Sequence, residues 1–215
     1  MNALIAAEIL EQVYRYDGEP VYPIHGYYPK EVENSNTDTQ YIFEFVPGED
    51  LLYIGFPGTA SVRDVITDIR AYKKTIPYGN GKSKIRVHAG FLKAYKSIKG
   101  VILMSIYKYH PANIIIFGHS LGAALATLCA VDIQYNTGNA PKVYATGSPR
   151  IGNRAFRDSY NKRIPEHFRF VSNFDPVTIM PFINYYHVGI RKWINCWWHD
   201  IRNYIKGFEK RINDE

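Results

Sequence analysis

The sequence predicts an α/β fold, a mostly parallel central sheet with helices on both faces. Strands and helices alternate up to residue 172, the pattern of a parallel sheet joined by helical crossovers. The apolar run Ile114-Ile115-Ile116-Phe117 passes directly into the helix formers Ala123, Ala124, Leu125, Ala126 and Leu128, and a β-branched run without alternation marks a strand covered on both faces. At 215 residues, with no Ser/Pro/Gly-rich linker and no repeat, 1–215 reads as a single domain able to bury a substantial core.

The elements follow in order. An amphipathic helix spans Ala3 to Tyr16, and strands lie near 40–46 and 51–56. In the stretch 60–69, Val62, Val65, Ile66 and Ile69 stand at i, i+3, i+4 and i+7, which is the spacing of a one-faced helix. His88-Ala89-Gly90-Phe91 opens a helix running from Gly90 to Tyr109. After the strand and helix around residue 120 come a strand from Lys142 to Thr146, a polar helical stretch from Asn153 to Arg163, and another strand within HFRFVSNF, 167–174. The C-terminal stretch from Arg191 to Ile212 reads as a helix with Trp193, Trp197, Trp198, Ile201, Tyr204, Ile205 and Phe208 facing one way and Lys/Arg the other. Such a helix either docks on the sheet or lies on an anionic lipid surface; docking is the expected state and surface contact through 191–212 an added property.

Gly118-His119-Ser120-Leu121-Gly122 sits where the buried strand becomes a helix. Small residues two before and two after the serine let strand and helix approach, and the strained turn presents the hydroxyl at the end of the sheet. Ser120 is therefore a candidate nucleophile. The N–H of Leu121, the residue after it, is a candidate oxyanion donor. A serine hydroxyl needs an adjacent base, and the base needs an orienting acid.

In enzymes with this turn the acid and then the histidine follow the nucleophile along the chain. Asp132 lies on the helix leaving the turn, and Asp158 on a polar helix where a solvated face accounts for it. Asp175 sits in Asn173-Phe174-Asp175-Pro176-Val177, at the C-terminal end of a strand, where functional groups of open α/β sheets gather. His167 precedes it. His187 follows it by twelve positions in a loop-like stretch, while His199 lies in the aromatic helical pattern near the C-terminus. His187 is the preferred base and His199 the alternative.

Several ordered segments together resemble one family, the fungal-type class 3 lipases, members of the α/β-hydrolase fold. They are Gly55-Phe56-Pro57-Gly58-Thr59, Val87-His88-Ala89-Gly90-Phe91, Gly118 to Ala124, Thr146 to Asn153, Asn173 to Val177, and Tyr186-His187-Val188-Gly189. The resemblance covers roughly residues 50 to 190. It implies Ser120 as nucleophile, Asp175 as acid, His187 as base, and Thr59 as the second oxyanion donor, through its N–H and hydroxyl. It makes the 60–69 helix a candidate lid, with permanent packing on the sheet as the alternative. It places His88 near the site in a structural role linking its helix to the serine turn, and gives Ser148-Pro149-Arg150 to the pocket wall. Pro57 stands where the family usually carries arginine, a departure that bears on salt-bridge support of that loop and not on the backbone of the hole. The implied chemistry is cofactor-free hydrolysis of lipid carboxylic esters through an acyl-enzyme. A phospholipase A1 or a small-ester or feruloyl-type esterase would use the same triad, and a non-catalytic lipid-binding module would keep the fold without turnover.

Composition narrows the remaining classes. The net charge of +6 and the 18 tyrosines come with dispersed basic residues and no recognition motif, so nucleic acid is not an expected partner. Scattered histidines give no metal spacing. The cysteines, Cys129 and Cys196, allow at most one disulfide and do not make a disulfide scaffold. No stretch of about 18 apolar residues suggests a membrane span. The N-terminus contains Glu8 and lacks a basic start, so the expectation is a cytoplasmic protein or one released without a signal peptide.

Overall fold

The computed structural model describes residues 1–15, 23–34, 39–58, 73–76 and 84–214. The candidate lid at 60–69 and Thr59 lie outside the described residues.

In chain order the elements are α1 (Ala3–Arg15), β1 (Lys30–Asn34), β2 (Thr39–Val46), β3 (Leu51–Phe56), β4 (Lys73–Thr75), β5 (Arg86–His88), α2 (Ala89–Tyr109), β6 (Asn113–His119), α3 (Leu121–Thr137), β7 (Lys142–Thr146), α4 (Arg154–Arg163), β8 (His167–Val171), β9 (Ile190–Trp193) and α5 (Ile201–Asp214). Seven strands form the central sheet in the order β1-β2-β3-β6-β7-β8-β9. The first two junctions are antiparallel and the four from β3 to β9 are parallel. β4 and β5 make a separate antiparallel pair. This is the mostly parallel sheet that the strand–helix alternation predicts.

Alternate residues of a strand face opposite sides, and here both sides are apolar. Leu52, Ile54 and Phe56 of β3 and Ile114 and Ile116 of β6 join a core that includes Phe91, Tyr95 and Ile98 of α2, Leu125 and Leu128 of α3, and Phe156 and Tyr160 of α4. Leu51 and Tyr53 of β3 and Phe117 of β6 turn the other way, to Ala6, Ile9 and Leu10 of α1. α5 continues that second layer, with Ile201, Tyr204, Ile205 and Phe208 packed beside Phe170 of β8. Helices therefore cover both faces, and β3 and β6 carry no polar side because neither face meets water.

The C-terminal region corrects the expectation of one helix over 191–212. Residues 190–193 form the edge strand β9, hydrogen-bonded in parallel register to β8. Residues 194–200 run without regular structure, and the helix starts only at Ile201. The apolar face of α5 is buried in the domain, so it is not a free lipid-facing stripe. Trp193, Trp197 and Trp198 lie outside that helix and are exposed.

Both cysteines are buried free thiols. Among the described residues no helix is long and apolar enough to cross a membrane, and no group of three or more His, Cys, Asp or Glu is placed to hold a metal ion.

Candidate active site

Five parallel strands bring their C-terminal ends to one edge of the sheet, and the site is assembled there from three loops. The first is the turn from β6 into α3. Ser120 occupies it with φ +57° and ψ −124°, a region that costs a non-glycine residue about 1–3 kcal/mol. The flanking glycines have a steric reason. A Cβ on Gly118 would lie 2.4 Å from the Gly122 carbonyl oxygen, and one on Gly122 would lie 2.0 Å from that of Phe56. The Ser120 N–H donates to the Thr146 carbonyl at 3.0 Å, tying the turn to the end of β7. Leu121 opens α3, and N–H groups in a first helical turn have no intrahelical acceptor, so its amide is free to meet negative charge.

The second loop follows β8. Asp175 caps a 3₁₀ turn at Pro176–Ile179, its Oδ1 accepting from the Val177 N–H at 2.9 Å. Its Oδ2 accepts from two side chains, His199 Nδ1 at 2.7 Å and the Tyr204 hydroxyl at 2.6 Å. Asp175 is 2% exposed, and three donors meet its carboxylate, which is what a buried charge requires.

The third loop, between β9 and α5, supplies His199. Its Nε2 lies 2.7 Å from Ser120 Oγ. The carboxylate of Asp175 can only accept, so Nδ1 carries the proton and Nε2 offers its lone pair to the serine hydroxyl. Gly147, at φ +59°, clears the space: a Cβ there would meet His199 Cε1 at 2.8 Å and Asp175 Oδ2 at 3.0 Å. Beneath His199 the ring of His119 stacks at 4.8 Å between centroids. The Thr146 hydroxyl donates to the Gly118 carbonyl and so accepts from His119 Nδ1, at 3.0 Å. Burial above all, and then the neighbouring His199, push the His119 imidazole down to about 3. His119 thus stays neutral beside any imidazolium formed on His199.

His187, the base preferred from the sequence, is not in this constellation. Its Nε2–H donates to the Thr178 carbonyl at 2.6 Å, and its Nδ1 is buried without a partner. Burial first, then the Arg169 charge, hold it down to about 3. The physical reason lies in chain direction. After Asp175 the chain turns back over the sheet, with the Tyr186 N–H bonding the Gly152 carbonyl at 2.8 Å, and His187 precedes the first residue of β9. Only after β9 has run parallel to β8 does the chain return to the edge that holds Ser120, and the histidine it delivers there is His199. A signal for this was present: Asp200 caps α5, its Oδ1 accepting from the Arg202 N–H at 2.9 Å. A capping residue just before the apolar positions Ile201, Ile205 and Phe208 places His199 in a loop and not inside a helix.

The other expected residues fall as follows. His88 caps α2, its Nδ1 accepting from the Phe91 N–H at 3.3 Å, and its own N–H bonds the Ile151 carbonyl. It thereby links its helix to the segment after β7, not to the serine turn. Arg150 holds the loop opposite, donating through Nη1 to the Phe182 carbonyl at 3.2 Å. Asp132 is buried between α2 and α3, accepting from the Tyr95 hydroxyl at 2.8 Å. No local pattern marks Tyr204 as a site residue, since 29 positions separate it from Asp175 along the chain.

Comparison with known proteins gives the family of the chain. The model of the family described as Lipase (class 3) matches residues 53–185. The chloroplastic phospholipase A(1) DAD1 of Arabidopsis thaliana is 35% identical over 60% of this chain and 33% of its own length. The lipase of Rhizomucor miehei is 31% identical over 68% of this chain and 42% of its own. The chain thus spans a third to under half of the length of these two relatives. A solved structure described as a serine protease triad forming the catalytic centre of a triacylglycerol lipase superposes with TM-score 0.74 and 26% identity, covering 89% of this chain and 78% of that one. The sheet order, the strained serine turn and this likeness give the chain the α/β-hydrolase fold, and with the family pattern running through β3, the Ser120 turn and the Asp175 loop, it belongs to the class 3 lipases.

Proposed function

We propose that this chain hydrolyses carboxylic esters of lipids through an acyl-enzyme, with Ser120 as nucleophile, His199 as general base and Asp175 as the orienting acid. The hydrogen-bonded chain from Ser120 Oγ to His199 Nε2 and from His199 Nδ1 to Asp175 Oδ2, 2.7 Å at each link, carries this reading.

Ser120 Oγ attacks the ester carbonyl carbon as its proton passes to His199 Nε2. The carbonyl oxygen takes up the displaced electron pair and is met by the Leu121 N–H, with Thr59 expected as the second donor. The tetrahedral intermediate collapses, the C–O bond to the alcohol breaks, and Nε2 returns its proton to the leaving oxygen. Water then attacks the acyl-enzyme with the same base, which frees the acid and restores Ser120.

Lipid as the substrate is supported by the surface beside the triad. Phe174 precedes Asp175, and Trp197 and Trp198 precede His199. Phe174 and Trp197 stack at 4.3 Å and, with Trp198, are 49%, 70% and 58% exposed. Exposed aromatic groups at the mouth of a site suit contact with a lipid surface. The segment 193–198, and not a helix over 191–212, is the part of the C-terminal region proposed for that contact. A phospholipase A1 activity is the second reading, favoured by the likeness to the Arabidopsis enzyme.

The test is hydrolysis of a soluble short-chain ester, an emulsified triacylglycerol and phospholipid vesicles, with Ser120→Ala as the blank. Turnover that depends on Ser120 and rises once the ester exceeds its solubility supports a lipase. Preference for the sn-1 ester of vesicles supports the second reading. Equal rates for the wild type and Ser120→Ala on all three would sink both. Replacing Phe174 and Trp197 together by Ser should slow emulsion hydrolysis more than hydrolysis of the soluble ester.

A further inference from the structure

β8 places His167 and Arg169 on the same side of the sheet, away from α5, because alternate strand residues share a face. Arg169 is only 7% exposed. Its Nε is buried without an acceptor, and no carboxylate among the described residues pairs with it. Its charged neighbours carry its own sign: Arg191, directly opposite in register on β9, and Arg150. Nε2 of His167 and Nδ1 of His187 are also buried and unpartnered, so three of the five such atoms among the described residues belong to this cluster. A buried guanidinium without a counter-charge is costly, and one beside two others of like charge more so. The arrangement calls for an anion.

We propose that Arg169, Arg191 and Arg150 form a binding site for a phosphate group, with His187 as an acceptor for its P–OH. The three arginines come from three chain segments: the connection between β7 and α4, β8, and β9. A planar carboxylate satisfies one such fork, whereas a tetrahedral oxyanion offers oxygens in several directions. His187 donates through Nε2 to Thr178, which leaves Nδ1 as an acceptor, a feature that matches a phosphate or phosphomonoester still carrying a proton. The ligand class is thus inorganic phosphate or a phosphomonoester, whether soluble or on a lipid such as phosphatidic acid. The site does not include Ser120, and its test reads binding, so it stands or falls apart from ester hydrolysis.

The experiment titrates inorganic phosphate into the full chain and into R191Q and R191E, by calorimetry and thermal unfolding, in chloride buffer of matched ionic strength. Arg191 is exposed, so both variants should fold. The wild type should bind phosphate saturably and unfold at higher temperature as it does so. R191Q should bind about tenfold more weakly, as expected for loss of a charged hydrogen-bonding partner. R191E puts a carboxylate opposite Arg169 as an internal counter-ion, so it should unfold at higher temperature in chloride alone and respond little to phosphate. No saturable binding by the wild type, or the same response in all three proteins, overturns the proposal. Flotation with phosphatidic acid or phosphatidylcholine vesicles separates the sources. Phosphatidic acid binding that is lost in R191E and competed by free phosphate assigns the site to a headgroup; vesicle binding indifferent to R191E, with phosphate binding still sensitive to it, assigns it to soluble phosphate.

Discussion

An imidazole serves a serine best as base when its other nitrogen is held protonated by a group that gains from the positive charge. Asp175 does this for His199, whereas the Thr178 carbonyl occupies the protonated nitrogen of His187. Ser120→Ala and His199→Ala should therefore each lower kcat by about 10⁴-fold or more. His187→Ala should cost about 1–3 kcal/mol of stability by leaving the Thr178 carbonyl unpaired, measurable as a lower urea midpoint, while its turnover stays orders of magnitude above that of His199→Ala. The reverse ranking of the two histidine variants would overturn the assignment of the base. Tyr204→Phe removes one of the two side-chain donors to Asp175 Oδ2. It should lower kcat about tenfold, the scale of a hydrogen bond to a charged group, with little change in KM, since the hydroxyl touches the acid and not the substrate.

The turn between β6 and α3 works by close approach of backbones. Phe56, at the end of β3, and the first turn of α3 meet at Gly122, where a methyl group would sit 2.0 Å from one carbonyl oxygen and 2.4 Å from the next, that of Pro57. Neither oxygen can swing aside as a side chain would. Gly122→Ala should cost about 3 kcal/mol by overpacking, seen as a fall in the denaturant midpoint, and should displace the Leu121 amide from the carbonyl it is to meet. α5 is a second element with two duties. Its apolar face closes one layer over β8, and the same packing holds Tyr204 against Asp175.

For the molecule as a whole, buried neutral imidazoles set a pH dependence. From an ordinary 6.5, burial holds His88 at about 4 and His119, His167 and His187 at about 3. The unfolded chain binds protons that the folded chain refuses, so stability is complete above about pH 6.5 and falls as the pH drops from there toward the folded values. Each histidine contributes up to about 1.4 kcal/mol per pH unit in that window. Urea midpoints measured downward from neutral pH should decline steadily; a flat profile would mean that these rings are not held neutral by the fold.

Sequence by itself determined the layers of this protein, since the strands 51–56 and 114–117 are apolar on both sides and the helices between them have fitting faces. It also determined the serine turn, because Gly118, Ser120 and Gly122 act on one another across four positions, and it placed Asp175 at a strand's C-terminal end. Which histidine meets them was left to the tertiary structure. His199 is 79 residues from Ser120, and its arrival depends on β9 lying parallel to β8, a choice made by cross-strand pairing. The preference for His187 rests on its loop-like setting and on reading His199 into a helix, and neither carries the direction in which the chain runs after the acid. The partnership of Tyr204 with Asp175 and the meeting of Arg169 with Arg191 have the same origin: strand register and helix docking bring together groups whose separation along the chain carries no local signal.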